Sequence, residues 1–168
     1  MAGHYYPAKE DELMALYLVQ HGKALQKDVD PERGLSDEGI AEVERIAGVA
    51  QGYRVTVRTI RHSGKKRARQ TAELIAAALS APVAVEQGDG LKPNDDVITI
   101  AKSLDESEDL MLVGHLPFLE RLASYLVMGI TDRRIFALQN GGILCLDRDP
   151  GSQFWFIRWA LMPHVGAS

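Results

Sequence analysis

Leu13 to Val19 is apolar without interruption, and the run stops abruptly at the polar triplet Gln20-His21-Gly22. A run with no alternation suits a strand buried on both faces, the position of a central strand in a sheet that carries helices on each side. The rest of the chain repeats the theme. Short aliphatic runs alternate with longer stretches of helical period, the pattern of an α/β fold in which helices cover both faces of a mainly parallel central sheet, a three-layer sandwich. Behind an N-cap at Ser36, Ile40, Val43, Ile46, Ala47 and Ala50 recur at helical spacing up to Gly52. Ala68, Ala72, Ile75 and Leu79 mark a second helix, a short third one starts near Asp95, and Phe118, Leu119, Leu122, Ala123 and Leu126 form a fourth. Pro117 fits the first turn of that fourth helix. Strands are expected at Val55–Ile60, Pro82–Val85 and Asp109–Gly114, with a final pair, Gly142–Asp147 and Phe154–Leu161, around the turn Asp149-Pro150-Gly151.

Length and composition narrow the function classes. A chain of 168 residues is about one domain with a substantial core, and neither a linker nor a repeat divides it. The formal net charge of -4 argues against binding nucleic acid through the whole surface. One cysteine, Cys145, excludes an intrachain disulfide and a CxxC metal or redox site, and its place in a strand makes it a packing residue. No apolar run approaches the roughly 18 residues of a membrane span. Met1 to Glu12 carries His4, Lys9 and three acids where a signal peptide would be apolar, so a cytoplasmic location is expected.

In open sheets of this kind ligands bind outside the carboxyl ends of the strands. Three expected strands lead there into polar residues: Gln20-His21-Gly22, His62-Ser63 with Arg67 a turn further on, and Gly114-His115. If those strands are parallel neighbours, two imidazoles and a guanidinium meet at one point. That combination can handle a phosphoryl group. A neutral imidazole attacks phosphorus, while a planar guanidinium and the amides at a helix start near Lys66 to Ala68 hold the non-bridging oxygens. Gly22 and Gly114 would let backbone approach the anion. Each piece alone has a plainer reading: a histidine after a strand is commonly a surface or capping residue, His4 and His164 lie in terminal segments, and Arg61 to Arg69 reads as a solvated helix entry. The stretch around Gly64-Lys65 is not a P-loop, because Thr59 stands where its first glycine belongs and Lys66 where Ser or Thr belongs.

Four blocks in order resemble the histidine phosphatase superfamily: Leu16 to Ala24 around Gln20-His21-Gly22, Arg33-Gly34-Leu35-Ser36-Asp37-Glu38-Gly39, Ser63 to Ala72 around Arg67, and Val113-Gly114-His115-Leu116-Pro117. Short length and the Gly-His-Leu-Pro block are similar to the SixA type of phosphohistidine phosphatase. The resemblance spans residues 13 to 168 and leaves 1–12 as an N-terminal extension. It implies a phosphoglycerate mutase-like fold, a phosphorylated His21, Arg67 and His115 as pocket residues, and no cofactor or metal. It also implies a partner that carries phosphohistidine, a phosphotransfer domain or histidine kinase of a phosphorelay, with neither nucleic acid nor membrane involved.

One departure stands out. The family triplet is Arg-His-Gly, and Gln20 occupies the first place, keeping an amide donor but losing the charge and the bidentate fork. Lys23 and Arg33 are the candidates to make up the charge, and Gln20, Gly22, Arg33 and Ser63 join the expected anion site. A general acid is not marked clearly. Glu86, Asp89 and Asp95 are positional candidates, and a phosphohistidine substrate relaxes the need, since a protonated imidazole leaves far more readily than an alkoxide. The expectation is therefore a phosphohistidine phosphatase, with a weakened phosphate-binding member or a small-molecule phosphomonoesterase as alternatives.

Overall fold

The computed structural model describes residues 15–104, 109–148 and 152–166. The proposed extension 1–12 and the turn 149–151 lie outside those residues. The apolar run becomes β1 (Leu16–Gln20), buried at its first four positions and flanked by strands on both sides. Then follow α1 (Asp37–Gly52), β2 (Thr59–His62), α2 (Lys66–Ala78), β3 (Ala84–Gln87), α3 (Val97–Ser103), β4 (Leu110–Gly114), α4 (Phe118–Met128), β5 (Ile143–Arg148) and β6 (Trp155–Leu161).

The strands form one sheet in the order β3-β2-β4-β1-β5-β6. β1, β4, β2 and β3 pair in parallel; β5 runs against β1 and β6 against β5, so among these six only β5 is reversed. Period-two alternation divides the core into two layers. Tyr17, Val19, Met111, Val113, Ile143 and Cys145 pack with residues of α1 and α2. Leu16, Leu18, Leu110, Leu112, Leu144 and Leu146 pack with α3 and α4. The chain is thus a single-domain α/β fold with helices on both faces of a mixed, mainly parallel sheet. Cys145 is buried in the first layer, where burial pushes its thiol up to about 12. No helix among the described residues is long and apolar enough to cross a membrane.

Several boundaries differ from the sequence reading for identifiable reasons. β2 begins at Thr59 because its partner β4 begins at Leu110, and it runs on to His62, whose polar but buried side chain conceals a strand position. Residues 55–58 instead lead away from α1, which closes at Arg54 in a left-handed conformation (φ 58°). β3 lies two residues later than expected, at the sheet edge with all four residues exposed, where burial imposes little pattern. Pro117 precedes α4 as its N-cap.

Candidate active site

β1, β4 and β2 are adjacent, and their carboxyl ends are level: Gln20 pairs with Gly114 and His62 with Val113. The pairing continues one step further, with the His21 amide donating to the Gly114 carbonyl (3.1 Å) and the Ser63 amide to the Val113 carbonyl (3.2 Å). His21, Ser63 and His115 therefore emerge side by side. The two imidazoles lie 5.0 Å apart between centroids, inclined at 55°. Arg67, in the first turn of α2, donates from Nε to His21 Nε2 (3.2 Å). The structure thus brings together the residues that the strand ends pointed to.

The state of the His21 ring follows from its partners. Nδ1 lies 2.7 Å from the Gly22 carbonyl, which can only accept, so the proton sits on Nδ1 and Nε2 carries the lone pair. Burial holds the ring neutral, lowering its pKa to about 4 against the opposing pull of the Gly22 carbonyl, and the charges of Arg67 and Arg33 add to the effect. His115 is lowered to about 3, by burial first and then by His21, Arg67 and Lys65. Of the two charge states open to it, His115 is therefore neutral near pH 7. Its Nε2 is 2.6 Å from Ser63 Oγ, while its buried Nδ1 has no partner. A Ser63 hydroxyl donating to Nε2 leaves Nδ1–H as the ring's spare donor.

Around this centre the loop after β1 is tied to α2. Asp30 accepts from the Gly34 amide (2.8 Å) and from Lys66 Nζ (2.9 Å), and the Leu35 amide donates to Gln70 Oε1 (2.8 Å). Arg33 rides on this loop with φ 54°, its Nε donating to the Leu25 carbonyl (3.3 Å). Its charge depresses the pKa of both His21 and Arg67. Lys23 is instead held in an exposed ion pair with Glu38 (2.5 Å). Of the two candidates for the missing charge, the structure brings Arg33 to the site. Gln20 Oε1 is buried without a hydrogen-bond partner.

Gly22 needs its lack of a side chain for packing: a Cβ there would lie 2.8 Å from Val43 Cγ2 of α1 and 3.2 Å from the Gly39 carbonyl. Its amide is taken by Thr71 Oγ1 (2.9 Å). The basic stretch Arg61 to Arg69 is dispersed. Arg61 pairs with Glu86, Lys66 with Asp30 and Glu32, Arg69 with Glu73, and Arg67 turns to His21. Glu86, one of the three acid candidates, is held in the exposed pair with Arg61. Asp89 and Asp95 line a hollow of about 450 Å³ together with Ser63, Gln87, Leu91 and Lys92, so Ser63 joins the hollow to the histidine pair. Among the described residues no cluster of three or more His, Cys, Asp or Glu could hold a metal ion.

Sequence reasoning missed Thr71 and Asn140. The Thr71 hydroxyl accepts from Gly22 and donates to the Arg67 carbonyl (2.8 Å); Asn140 Nδ2 donates to the His21 carbonyl (2.8 Å). Thr71 lay inside a quoted block without a role, and Asn140-Gly141-Gly142 reads only as a turn.

A level row of strand ends carrying two neutral imidazoles and a guanidinium, on a three-layer α/β fold, defines an anion-handling enzyme-like site. The histidine phosphatase superfamily (branch 1) model matches residues 16–92, which include His21 and Arg67. The protein histidine phosphatase SixA, solved with tungstate, is similar at 24% identity, 89% of this chain and 97% of that one, with a TM-score of 0.78. A candidate phosphohistidine phosphatase SixA from Agrobacterium tumefaciens is similar at 25% identity, 90% and 99% coverage and a TM-score of 0.71. The alpha-ribazole phosphatase from Shigella flexneri shares the fold at 16% identity, 92% and 100% coverage and a TM-score of 0.68. No curated protein sequence matches the chain. The family model over residues 16–92 and the shared fold make this chain similar to the histidine phosphatase superfamily.

Proposed function

We propose that this chain is a phosphohistidine phosphatase that takes the phosphoryl group of a phosphorelay protein onto His21 and passes it to water. The observation that carries the reading is the orientation of His21: its proton is fixed on Nδ1 by the Gly22 carbonyl, and the Nε2 lone pair faces the Arg67 guanidinium. An arriving phosphoryl group takes over the Arg67 donor, and Nε2 attacks phosphorus. The bond from phosphorus to the substrate imidazole breaks, and its electron pair departs with that ring. A substrate ring already protonated leaves as neutral imidazole. The phosphorylated His21 ring, still bearing its Nδ1 proton, is cationic, and the Gly22 carbonyl stabilises it. Water then attacks phosphorus, the phosphorus–Nε2 bond breaks and returns its pair to His21, and phosphate is released with the water's excess proton going to solvent.

Arg67 and Arg33 supply positive charge to the phosphoryl oxygens, and His115 supplies a neutral donor with Ser63 behind it. The likeness to SixA structures favours phosphohistidine over an alkyl phosphate. Its carrier would be a phosphotransfer domain or histidine kinase in the cytoplasm, with Gln20 joining the anion site and Gly22 holding the His21 ring rather than the anion. One observation favours a second reading, a member that binds phosphoprotein and turns it over poorly: a neutral Gln20 with a buried, unpartnered oxygen stands where the family has arginine.

Hydrolysis of a phosphohistidine protein and of an aryl phosphate by the native chain, His21→Ala, Arg33→Ala and Gln20→Arg separates the two. Turnover that prefers phosphohistidine, vanishes in His21→Ala and falls in Arg33→Ala is the expected result. A restored donor in Gln20→Arg should raise the rate, with about a hundred- to a thousandfold as the ceiling for one such donor. A native chain that binds phosphate but hydrolyses neither substrate, while Gln20→Arg does, would overturn the phosphatase reading in favour of the second.

A further inference from the structure

His21 stands one residue beyond β1 and its amide makes the last bond to β4, while the peptide joining it to Gly22, past the end of that pairing, is held at both edges by other segments. Its carbonyl accepts from Asn140 Nδ2 (2.8 Å), a residue 119 positions away in the turn before β5. Its N–H, that of Gly22, donates to Thr71 Oγ1 (2.9 Å) on α2. The two bonds leave opposite edges of one peptide plane and so block rotation of that plane. The neighbouring Gly141 amide, donating to the Gln20 carbonyl (2.9 Å), steadies the chain just before it. Thr71 is fully buried, and its own proton goes to the Arg67 carbonyl (2.8 Å), so one hydroxyl ties the backbone of His21 to the backbone of Arg67.

The Gly22 carbonyl belongs to the next peptide plane, which hinges on the Gly22 Cα that this clamped peptide fixes, so the clamp sets where that carbonyl lies relative to the His21 ring. The Nδ1 proton is held only because the Gly22 carbonyl curls back to 2.7 Å. A neutral imidazole left to water prefers the proton on Nε2, the nitrogen that must attack. We propose that Asn140 and Thr71 are positioning residues: by clamping the His21–Gly22 peptide they hold the Gly22 carbonyl on Nδ1 and keep the Nε2 lone pair available. Asn140 Nδ2 donates to the backbone carbonyl of His21, so it acts through that residue's tautomer and placement.

The test reads the tautomer directly, by ¹⁵N NMR of the His21 ring in the native chain and in Asn140→Asp, Asn140→Ala, Thr71→Val and Thr71→Ser. Asn140→Asp and Thr71→Val nearly preserve shape and remove the bonding group, so they keep the comparison clean if Asn140→Ala loosens the fold. Native His21 should show the proton on Nδ1. Asn140→Asp, Asn140→Ala and Thr71→Val should shift it wholly or partly to Nε2, and Thr71→Ser should restore the native signature.

The kinetic arm rests on the phosphatase reading: kcat should fall by about ten- to a hundredfold, the scale expected of a displaced reacting group, with KM changing far less. If no variant or native chain turns over, that reading fails, and the NMR result still decides the clamp. Folded Asn140→Asp and Thr71→Val that both keep the proton on Nδ1 would overturn the proposal, whatever their rates.

Discussion

At the scale of single residues, the site is built by withholding water from histidines. His21 is lowered to about 4 and His115 to about 3, and His62 is also lowered, in each case chiefly by burial. A neutral His21 ring at physiological pH is what these shifts secure, and they cost stability in acid. The unfolded chain takes up protons near pH 6.5 that the folded chain refuses until near pH 4, so between those values the unfolded state binds more protons. Stability contributed by these groups is complete above about pH 6.5 and is lost as pH falls toward 4. Each fully shifted histidine gives a slope approaching about 1.4 kcal/mol per pH unit inside that window. Urea denaturation at pH 5.0 and at pH 6.5 should therefore show a clear rise in stability with pH, and His115→Gln should make that rise shallower. Equal stability at the two values would mean that the pair is not held neutral. His21, Arg67 and His115 were legible in the sequence because each sits at a strand end or helix start. Asn140 and Thr71 were not, since hydrogen bonds spanning 119 and 49 positions leave no local pattern.

Among elements, the helix that carries no site residue sets the loop that carries several. α1 begins with Ser36 accepting from the Gly39 amide (3.0 Å), and the Ser36 amide in turn donates to the Lys23 carbonyl (2.9 Å). A Cβ on Gly39 would lie only 2.1 Å from that same carbonyl oxygen, with Lys23 N at 2.9 Å. The obstacle is backbone and cannot swing aside. Alanine, ordinarily the better helix former, is expected here to destabilise the chain by about 2 kcal/mol or more, reversing the usual propensity gain of up to about 1 kcal/mol. Chemical denaturation of Gly39→Ala measures this, and an equal or higher midpoint would show that α1 does not press on the loop. Ser36 and the helical spacing behind it could be read from the sequence, because caps and periodicity are local signals. The reason for glycine at position 39 could not, because it is a contact with a segment sixteen residues earlier that only the fold creates. The same distinction explains β2: its length follows from where β4 starts, which no property of residues 55–62 announces.

For the whole molecule, the sheet order brings strand ends from distant parts of the chain to one level, and the last turn of the chain returns to brace them. Gln139 exchanges two hydrogen bonds with the backbone of His164, donating to its carbonyl (2.8 Å) and accepting from its amide (3.0 Å). The His164 ring meets Glu42 of α1 at 2.6 Å, and Arg45 donates to the Pro163 carbonyl (2.7 Å). Gln139 is the neighbour of Asn140, so the segment after β6 is anchored to α1 and, through Gln139, to the turn that reaches His21. A chain ended at Pro163 keeps the Arg45 partner, and in better form, because the new terminal carboxylate is charged. What it loses is the pair of bonds to Gln139 and the contact with Glu42, all of them exposed. The global cost of these three exposed interactions should accordingly stay within about 1 to 3 kcal/mol, at roughly 1 kcal/mol or less each. Turnover should suffer more than stability, with kcat reduced and KM nearly unchanged, and Gln139→Ala should reproduce the loss in the full-length chain. Hydrolysis kinetics beside a denaturation curve for both variants settle the matter. If stability falls while kcat holds, the C-terminal segment braces the fold alone and the turn around Asn140 keeps its place without help.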